Sequence, residues 1–408
     1  MRSLKFRLCV SAALCAAVLS AAAATSHVRT GASARPLARA AHVRQEIERA
    51  LTTFDQLTLD PSLAAKQART GGALTLETSR GTLTVELEPS DVRASNWRGV
   101  RMTASGESRE IERAPAATYK GRVRGMDGAA SARFTIEEGR IEGLIIARDG
   151  LYFVEPARNF SASAGRDEFL FYSERDVRAE SFGECGVSLA ERVGASASRL
   201  ESDGDWQTRK GFAPPEVFAP RPEVELATEA DFEYFQFFKN QNPTFTDAQA
   251  SAAALAEITS IVNQVDGIYE SQVGIEIRIV HSRVWEADTD PYTLTSASQA
   301  LTQFRTAYNS SFAPGAPPQR DLTHMWTGKD FDGSTIGIAY LGTVCADPAR
   351  SYGISQRFAP SPQKVALTAH ELGHNFNAEH PNQQSPAPTD CANDPATATP
   401  TIMNSSIT

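Results

Sequence analysis

The chain has no surplus of positive charge. Its 408 residues carry 40 Lys and Arg against 49 Asp and Glu, a formal net charge of −9, and no basic run interrupts that balance. A nucleic-acid partner is therefore not expected. Long hydrophobic runs are also lacking. The one apolar stretch, Leu8 to Ala24, is Ala-rich and about 17 residues long, short for a bilayer span. It follows a basic start at Arg2, Lys5 and Arg7 and ends in Ala22-Ala23-Ala24. That is the pattern of a secretory signal peptide over residues 1–24, so a secreted protein with no stable membrane span is expected. Cysteine is scarce, with five in all. Cys9 and Cys15 fall in the signal peptide. Cys185, Cys345 and Cys391 remain, an odd number, which suggests one disulfide and one special thiol. Histidine is scarce as well, at seven, so any clustering of it is informative.

Three of those seven lie within eleven residues. Residues 370–380 read His-Glu-Leu-Gly-His-Asn-Phe-Asn-Ala-Glu-His. On a helix, the four-residue step from His370 to His374 puts both imidazoles on one face, where they can grip one metal ion. Glu371 sits one position round and can reach a water on that metal. His380 is far enough on for the chain to leave the helix and return with a third imidazole. Three imidazoles with one open position form the ligand set of a catalytic zinc. The helix has support of its own. Val365, Ala369, Leu372 and Phe376 form an apolar stripe, and Gly373 is the single Gly or Pro between Lys364 and Phe376.

The rest of the chain reads as two domains. Residues 25–70 are Ala-rich and partly helical. From Gly72 to Pro156 the period falls to two, as at Leu74 and Leu76 and at Leu83, Val85 and Leu87, with Gly-marked turns. Residues 193–222 are rich in Ser, Asp and Pro and read as a linker. Beyond them comes a strand at Glu223–Ala227, then a long amphipathic helix over 247–271 with a capping box at Thr246 and Gln249. A strand over Gly274–Val280, a helix over Ser296–Asn309, strands at Asp321–Trp326 and Thr335–Leu341, and the histidine helix complete the order. This is an α/β layer fold with a twisted mixed sheet.

The histidine motif resembles that of the metzincin zinc peptidases, His-Glu-x-x-His-x-x-Gly-x-x-His with a Met-containing turn downstream, and within them the reprolysin/ADAM group. Two positions depart from that pattern. Asn377 stands where the motif has Gly, and Asn is among the residues that best tolerate a left-handed backbone. Pro381 follows the third His, where Asp is common. The resemblance extends upstream. A Tyr-x-Gly, Gly-x-Ile, Tyr-x-x-Glu-Pro rhythm at Tyr119, Gly143 and Tyr152 is similar to an ADAM-type prodomain.

The resemblance implies a signal peptide over 1–24, a β-rich prodomain over 25–192, the 193–222 linker and a catalytic domain over 223–408. It also implies a monomeric, secreted endopeptidase acting on protein or peptide substrates and made as a zymogen. Zinc would be bound by His370, His374 and His380, with Glu371 as general base. Met403, 23 residues past His380, would be the Met-turn, and Cys185 in Glu-Cys-Gly-Val the zymogen switch. Gly337, Ile338 and Ala339 would form the strand that an extended substrate joins. A weak correspondence at Glu225 and Asp321 suggests calcium. Cys345 and Cys391 flank the cleft, and a disulfide between them would close a loop worth roughly 4 kcal/mol. Two other readings compete. An aminopeptidase-type enzyme would take a downstream Glu as third ligand, against which His380 argues. The second is a zinc-stabilised binding or adhesion module without turnover, against which Glu371 argues. Family members usually continue past the equivalent of Thr408 to build the specificity pocket, so substrate preference is not legible.

Overall fold

A computed structural model describes residues 34–137, 139–178, 183–187, 221–312, 318–358, 360–383 and 402–407. The expected signal peptide, nearly all of the 193–222 segment, and Cys391 lie outside them.

The N-terminal part opens with α1 (Ala34–Ala50), β1 (Asp55–Thr58) and α2 (Pro61–Arg69). Asp60 caps α2 by accepting from the Ser62 and Leu63 amides, and Pro61 sits at the first helical position. Period-two alternation then gives β2 (Ala73–Thr78) and β3 (Gly81–Pro89), whose Leu76, Leu83 and Val85 are wholly buried. A hairpin of β4 (Arg93–Met102) and β5 (Ser108–Ile111) follows. Next come β6 (Thr118–Arg124), β7 (Ala130–Glu137), β8 (Arg140–Ala147), β9 (Gly150–Pro156) and β10 (Glu168–Ser173). Eight of these strands form one antiparallel sheet in the order β1-β10-β9-β8-β7-β6-β3-β2. Its ends approach each other where the Ser79 amide donates to Asp55 Oδ2 at 2.9 Å, so the sheet curls around Phe134, Ile145, Val154 and Phe169.

The C-terminal part contains β12 (Glu223–Ala230), α3 (Phe232–Gln241), α4 (Asp247–Gln272), β13 (Glu276–Trp285), α5 (Ala297–Ser310), β14 (Leu322–Thr327), β15 (Thr335–Ala339), β16 (Tyr352–Gln356) and α6 (Ser361–Asn375). Two short strands, β11 (Gly183–Cys185) and β17 (Ser406–Ile407), complete the set. The second sheet runs β17-β11-β15-β16-β14-β12-β13-β4-β5. Its centre is parallel, while β15 runs antiparallel to β16. This is the expected mixed α/β architecture. The sequence pattern did not separate α3, which Asp231 caps through the Tyr234 amide, or β16, a five-residue strand buried on both faces.

Two features depart from the sequence reading. The hairpin β4–β5, which lies within the run of strands over 72–156, leaves their sheet, and β4 pairs in parallel with β13 over Arg98–Met102 and His281–Trp285. Trp97 Nε1–H donates to Ser282 Oγ at 3.0 Å, and Arg101 holds both oxygens of Glu286 at 3.0 and 3.1 Å. Second, α4 has the expected capping box, with Gln249 N–H on Thr246 Oγ1 at 3.3 Å and Thr246 N–H on Gln249 Oε1 at 2.8 Å. Yet it is not amphipathic toward water. Ser260, Asn263, Gln264 and Asp266 are buried with the apolar face. Three of them meet the first sheet: Ser260 Oγ–H donates to Glu142 at 2.9 Å, Asn263 Nδ2–H to the Phe134 carbonyl at 3.0 Å, and Arg133 Nε–H to Asp266 at 3.3 Å, while Gln264 Nε2–H turns back to the Ser260 carbonyl at 3.3 Å. Most buried polar groups are paired in this way.

Candidate metal centre

α6 displays His370 and His374 on one face, as their four-residue spacing requires. The opposite stripe, Val365, Ala369 and Leu372, is buried in the main core. The helix ends where the loop after β15 takes its last carbonyls. Gly342 N–H donates to the His374 carbonyl at 2.8 Å, and Thr343 and Val344 N–H donate to that of Asn375 at 2.9 and 3.0 Å. Asn375 Nδ2 holds the same turn through the Tyr340 carbonyl at 2.8 Å. Asn377 then takes φ 71°, and the Ala378 amide closes back on the Gly373 carbonyl at 2.9 Å. This left-handed residue reverses the chain and returns His380 to the helix face.

The three Nε2 atoms meet. His370 and His374 are 2.9 Å apart, and His380 is 3.1 Å from each. His370 Nδ1–H donates to the Ile402 carbonyl at 2.6 Å and His374 Nδ1–H to that of Ala378 at 2.7 Å. Both rings therefore aim the Nε2 lone pair at the common point. Lone pairs this close repel unless a cation lies between them. The spacing is near the edge of about 3.3 Å expected for nitrogens about 2.0–2.1 Å from a tetrahedral zinc. Burial depresses the pKa of His370 to about 3, with His374 and His380 adding repulsion, and that of His374 to about 4. Burial lowers His380 too, opposed by the Gln383 side chain. All three are neutral at pH 7, the state that binds metal. The donor set fits zinc.

Met403 Sδ packs under α6, 2.6 Å from where a Cβ on Gly373 would stand. The same turn supplies the Ile402 carbonyl to His370. From α4, Tyr269 O–H donates to the Ala369 carbonyl at 2.8 Å. Neither carbonyl contact on the imidazoles was legible in the sequence, since every residue offers a carbonyl. The Ile-Met pair alone pointed to the turn.

Residues 183–187 lie across this centre. Cys185 Sγ is 3.3 Å from His374 Nε2 and 3.6 Å from Glu371 Oε2. Donor atoms of Cys185, His370, His374 and His380 all fall within 4.8 Å of one another. β11 pairs in parallel with β15, through Glu184 N–H on the Ser334 carbonyl at 2.7 Å and Gly186 N–H on that of Gly337 at 2.9 Å. β17 flanks its other side, with Cys185 N–H on the Ser405 carbonyl at 2.9 Å. Val187 is buried beside Ile338. Gln383 Nε2–H donates to the Val187 carbonyl at 3.3 Å.

The remaining expected residues divide. Gly337, Ile338 and Ala339 lie on β15, and of the three it is Gly337 that packs against Glu371, while Ile338 is buried with Phe304 and Tyr352. A Cβ on Gly337 would stand 2.4 Å from Glu371 Oε1 and 2.7 Å from Leu367 Cδ1, so this glycine makes room for the glutamate. Cys345 is exposed, with φ 62°, and its expected partner Cys391 lies outside the described residues. Glu225 and Asp321 adjoin, with Glu225 N–H on Asp321 Oδ2 at 2.8 Å. Burial, then Asp321 and Glu223, raises the Glu225 carboxyl.

Among families, the reprolysin model of metallo-peptidase family M12 matches residues 221–408. Disintegrin and metalloproteinase domain-containing protein 19 of Mus musculus is 31% identical over 272 residues, which are 64% of this chain and 26% of that protein. The chain thus spans about a quarter of that relative's length. Metalloproteinase-II from Bacteroides fragilis aligns over 86% of this chain and 90% of its own, at 10% identity and a TM-score of 0.42, below the level that establishes a shared fold.

Proposed function

We propose that the chain, whose residues 221–408 match the reprolysin model, is a secreted zinc endopeptidase held as an inactive precursor by its own residues 183–187. Residues 25–192 act as the prodomain, and 223–408 as the catalytic domain. His370, His374 and His380 hold the zinc, which supplies Lewis acidity to a bound water and to the substrate carbonyl. Glu371 is the general base. It takes the proton of the attacking water and delivers it to the leaving amine. Gly337 lets its carboxylate reach the metal face while the backbone of β15 offers hydrogen bonds to an extended peptide. Met403 supports the helix from below.

The observation that carries this reading is the position of Cys185, whose sulfur shares one cluster with the three imidazole nitrogens. A thiolate is a strong zinc ligand and would exclude the water. Strand β11 meanwhile occupies the β15 edge that a substrate needs. Both blocks sit on one five-residue segment, so its displacement would unblock chemistry and binding together.

Zinc content and casein cleavage of the secreted protein test this, before and after limited proteolysis between residues 193 and 222. Stoichiometric zinc, with cleavage appearing only after proteolysis, is expected. Cys185→Ala should be active without proteolysis. Full activity of the uncut wild-type chain would remove the precursor reading. Zinc without activity in every form would favour a binding module.

A further inference from the structure

The helix bearing His370 and Glu371 makes no side-chain cap of its own at its start. Its first turn is met instead from the N-terminal part. Ser361 N–H donates to both carboxylate oxygens of Glu155, on β9, at 3.2 and 3.3 Å, and Ser361 Oγ–H to the same group at 3.1 Å. Glu155 is fully buried and further held by Tyr172 and Asn159. Burial raises the Glu155 carboxyl, opposed by Lys364 and by its bonds from Tyr172 and Asn159, so its hold on the helix start lies in the hydrogen bonds it accepts from Ser361. Three residues on, the buried Lys364 Nζ reaches Glu142 of β8 at 3.4 Å and Glu257 of α4 at 3.3 Å. Glu142 is in turn fixed by Arg140 at 2.7 Å and Ser260 at 2.9 Å. Burial would raise its carboxyl, but Arg140 and Lys364 outweigh burial and hold it well below the usual range.

The apolar packing behind these contacts is continuous. Leu144, Phe153, Leu170 and Tyr172 belong to the same buried cluster as Ile258, Ile261, Val365, Ala369 and Leu372. β4 adds a strand to the sheet at β13. Parting the two halves would uncover that core, open the β13 edge, and strip two carboxylates from the active-site helix. Such an apolar, strand-sharing, charge-burying contact has the character of an obligate interface rather than a transient one.

We infer that Glu155 and Glu142 are positioning residues of the active-site helix, and that residues 34–178 stay bound to residues 221–408 as a lasting subunit after the chain between them is cut. Unblocking the metal centre then requires only that residues 183–187 be displaced. That last step rests on the precursor reading above; the positioning and the lasting association do not.

The test uses the full chain with a specific protease site built into residues 193–222. After cutting, the two pieces should co-elute in size-exclusion chromatography with zinc bound. Two separately folded pieces, with zinc kept by 221–408 alone, would overturn the association. Zinc release to a chelator tests positioning at a temperature where circular dichroism shows each variant folded. Glu155→Ala should release zinc about tenfold faster than wild type. Glu155→Gln, which keeps an oxygen acceptor for Ser361, should restore most of the difference. Should Glu155→Ala not fold, Glu142→Gln provides the same readout, with release several-fold faster. Arg101→Ala, remote from α6, should lower the melting temperature without changing release. Release unchanged in the Glu155 and Glu142 variants would reject the positioning role. None of these readouts needs peptidase activity, so they remain decisive even if no form cleaves casein.

Discussion

Asn377 stands where the resembled motif has glycine, and it takes the left-handed backbone that position demands, at φ 71°. Asn377→Ala should therefore cost about 1–2 kcal/mol of stability by chemical denaturation, while Asn377→Gly should be near neutral; equal costs would refute the backbone argument. Gly337→Ala is a sharper probe. Its new methyl would meet Glu371 Oε1 at 2.4 Å, so we expect normal zinc content with a much lower kcat, an outcome excluded by wild-type turnover. Glu371→Gln should likewise keep zinc and lose about 10²–10⁴-fold in rate. At this scale the site was largely legible. Imidazole and carboxylate chemistry is written in residue identity and spacing, so His370, Glu371, His374 and His380 could be picked out directly, whereas Cys185 was singled out from three cysteines only by the family resemblance. The steric role of Gly337 could not, because it depends on which neighbour packs against it.

Element types were largely legible, including β14, β15 and α6, which are buried on both faces; what packs against each element was not. The period-two runs of β2 and β3 and the capping box of α4 stand in the sequence, and so do the helical steps of Leu255, Ile258, Val262 and Val265. The fate of the polar face of α4 does not, because periodicity records contrast within a helix and not what covers its other side. The departure of β4–β5 to the second sheet is equally silent, since alternation is the same in either sheet. α6 carries a further test. Gly→Ala inside a helix ordinarily gains about 1 kcal/mol. Gly373→Ala should instead destabilise, because its Cβ would stand 2.6 Å from Met403 Sδ, and displacing that turn would loosen the Ile402 carbonyl from His370. Thermal melts and zinc affinity should fall together. A gain in melting temperature would remove the Met403 contact from the account.

The whole molecule responds to pH through its buried histidines. Burial lowers His324 to about 3, and burial with nearby arginines lowers His281 to about 3. Unfolded, each would bind a proton near 6.5. Between about 3 and 6.5 the unfolded chain therefore binds more protons, so their contribution to stability is lost as pH falls through that window. Asp231, raised by burial to about 7, acts with the opposite sign, so the useful measurement is a difference. The stability gap between wild type and His324→Gln should narrow from pH 7 to pH 5, and a constant gap would contradict the assignment. The sheet order has a consequence in time as well as in space. The β4–β5 hairpin closes a sheet whose neighbouring strand, β13, begins at Glu276. A ribosome working at about 5–20 residues per second releases the hairpin many seconds before that strand emerges. During that interval the early half of the chain is a template with one open edge. The C-terminal half is thus delivered to a surface already waiting for it, and a translational pause or an early truncation would leave that edge available to whatever strand arrives first.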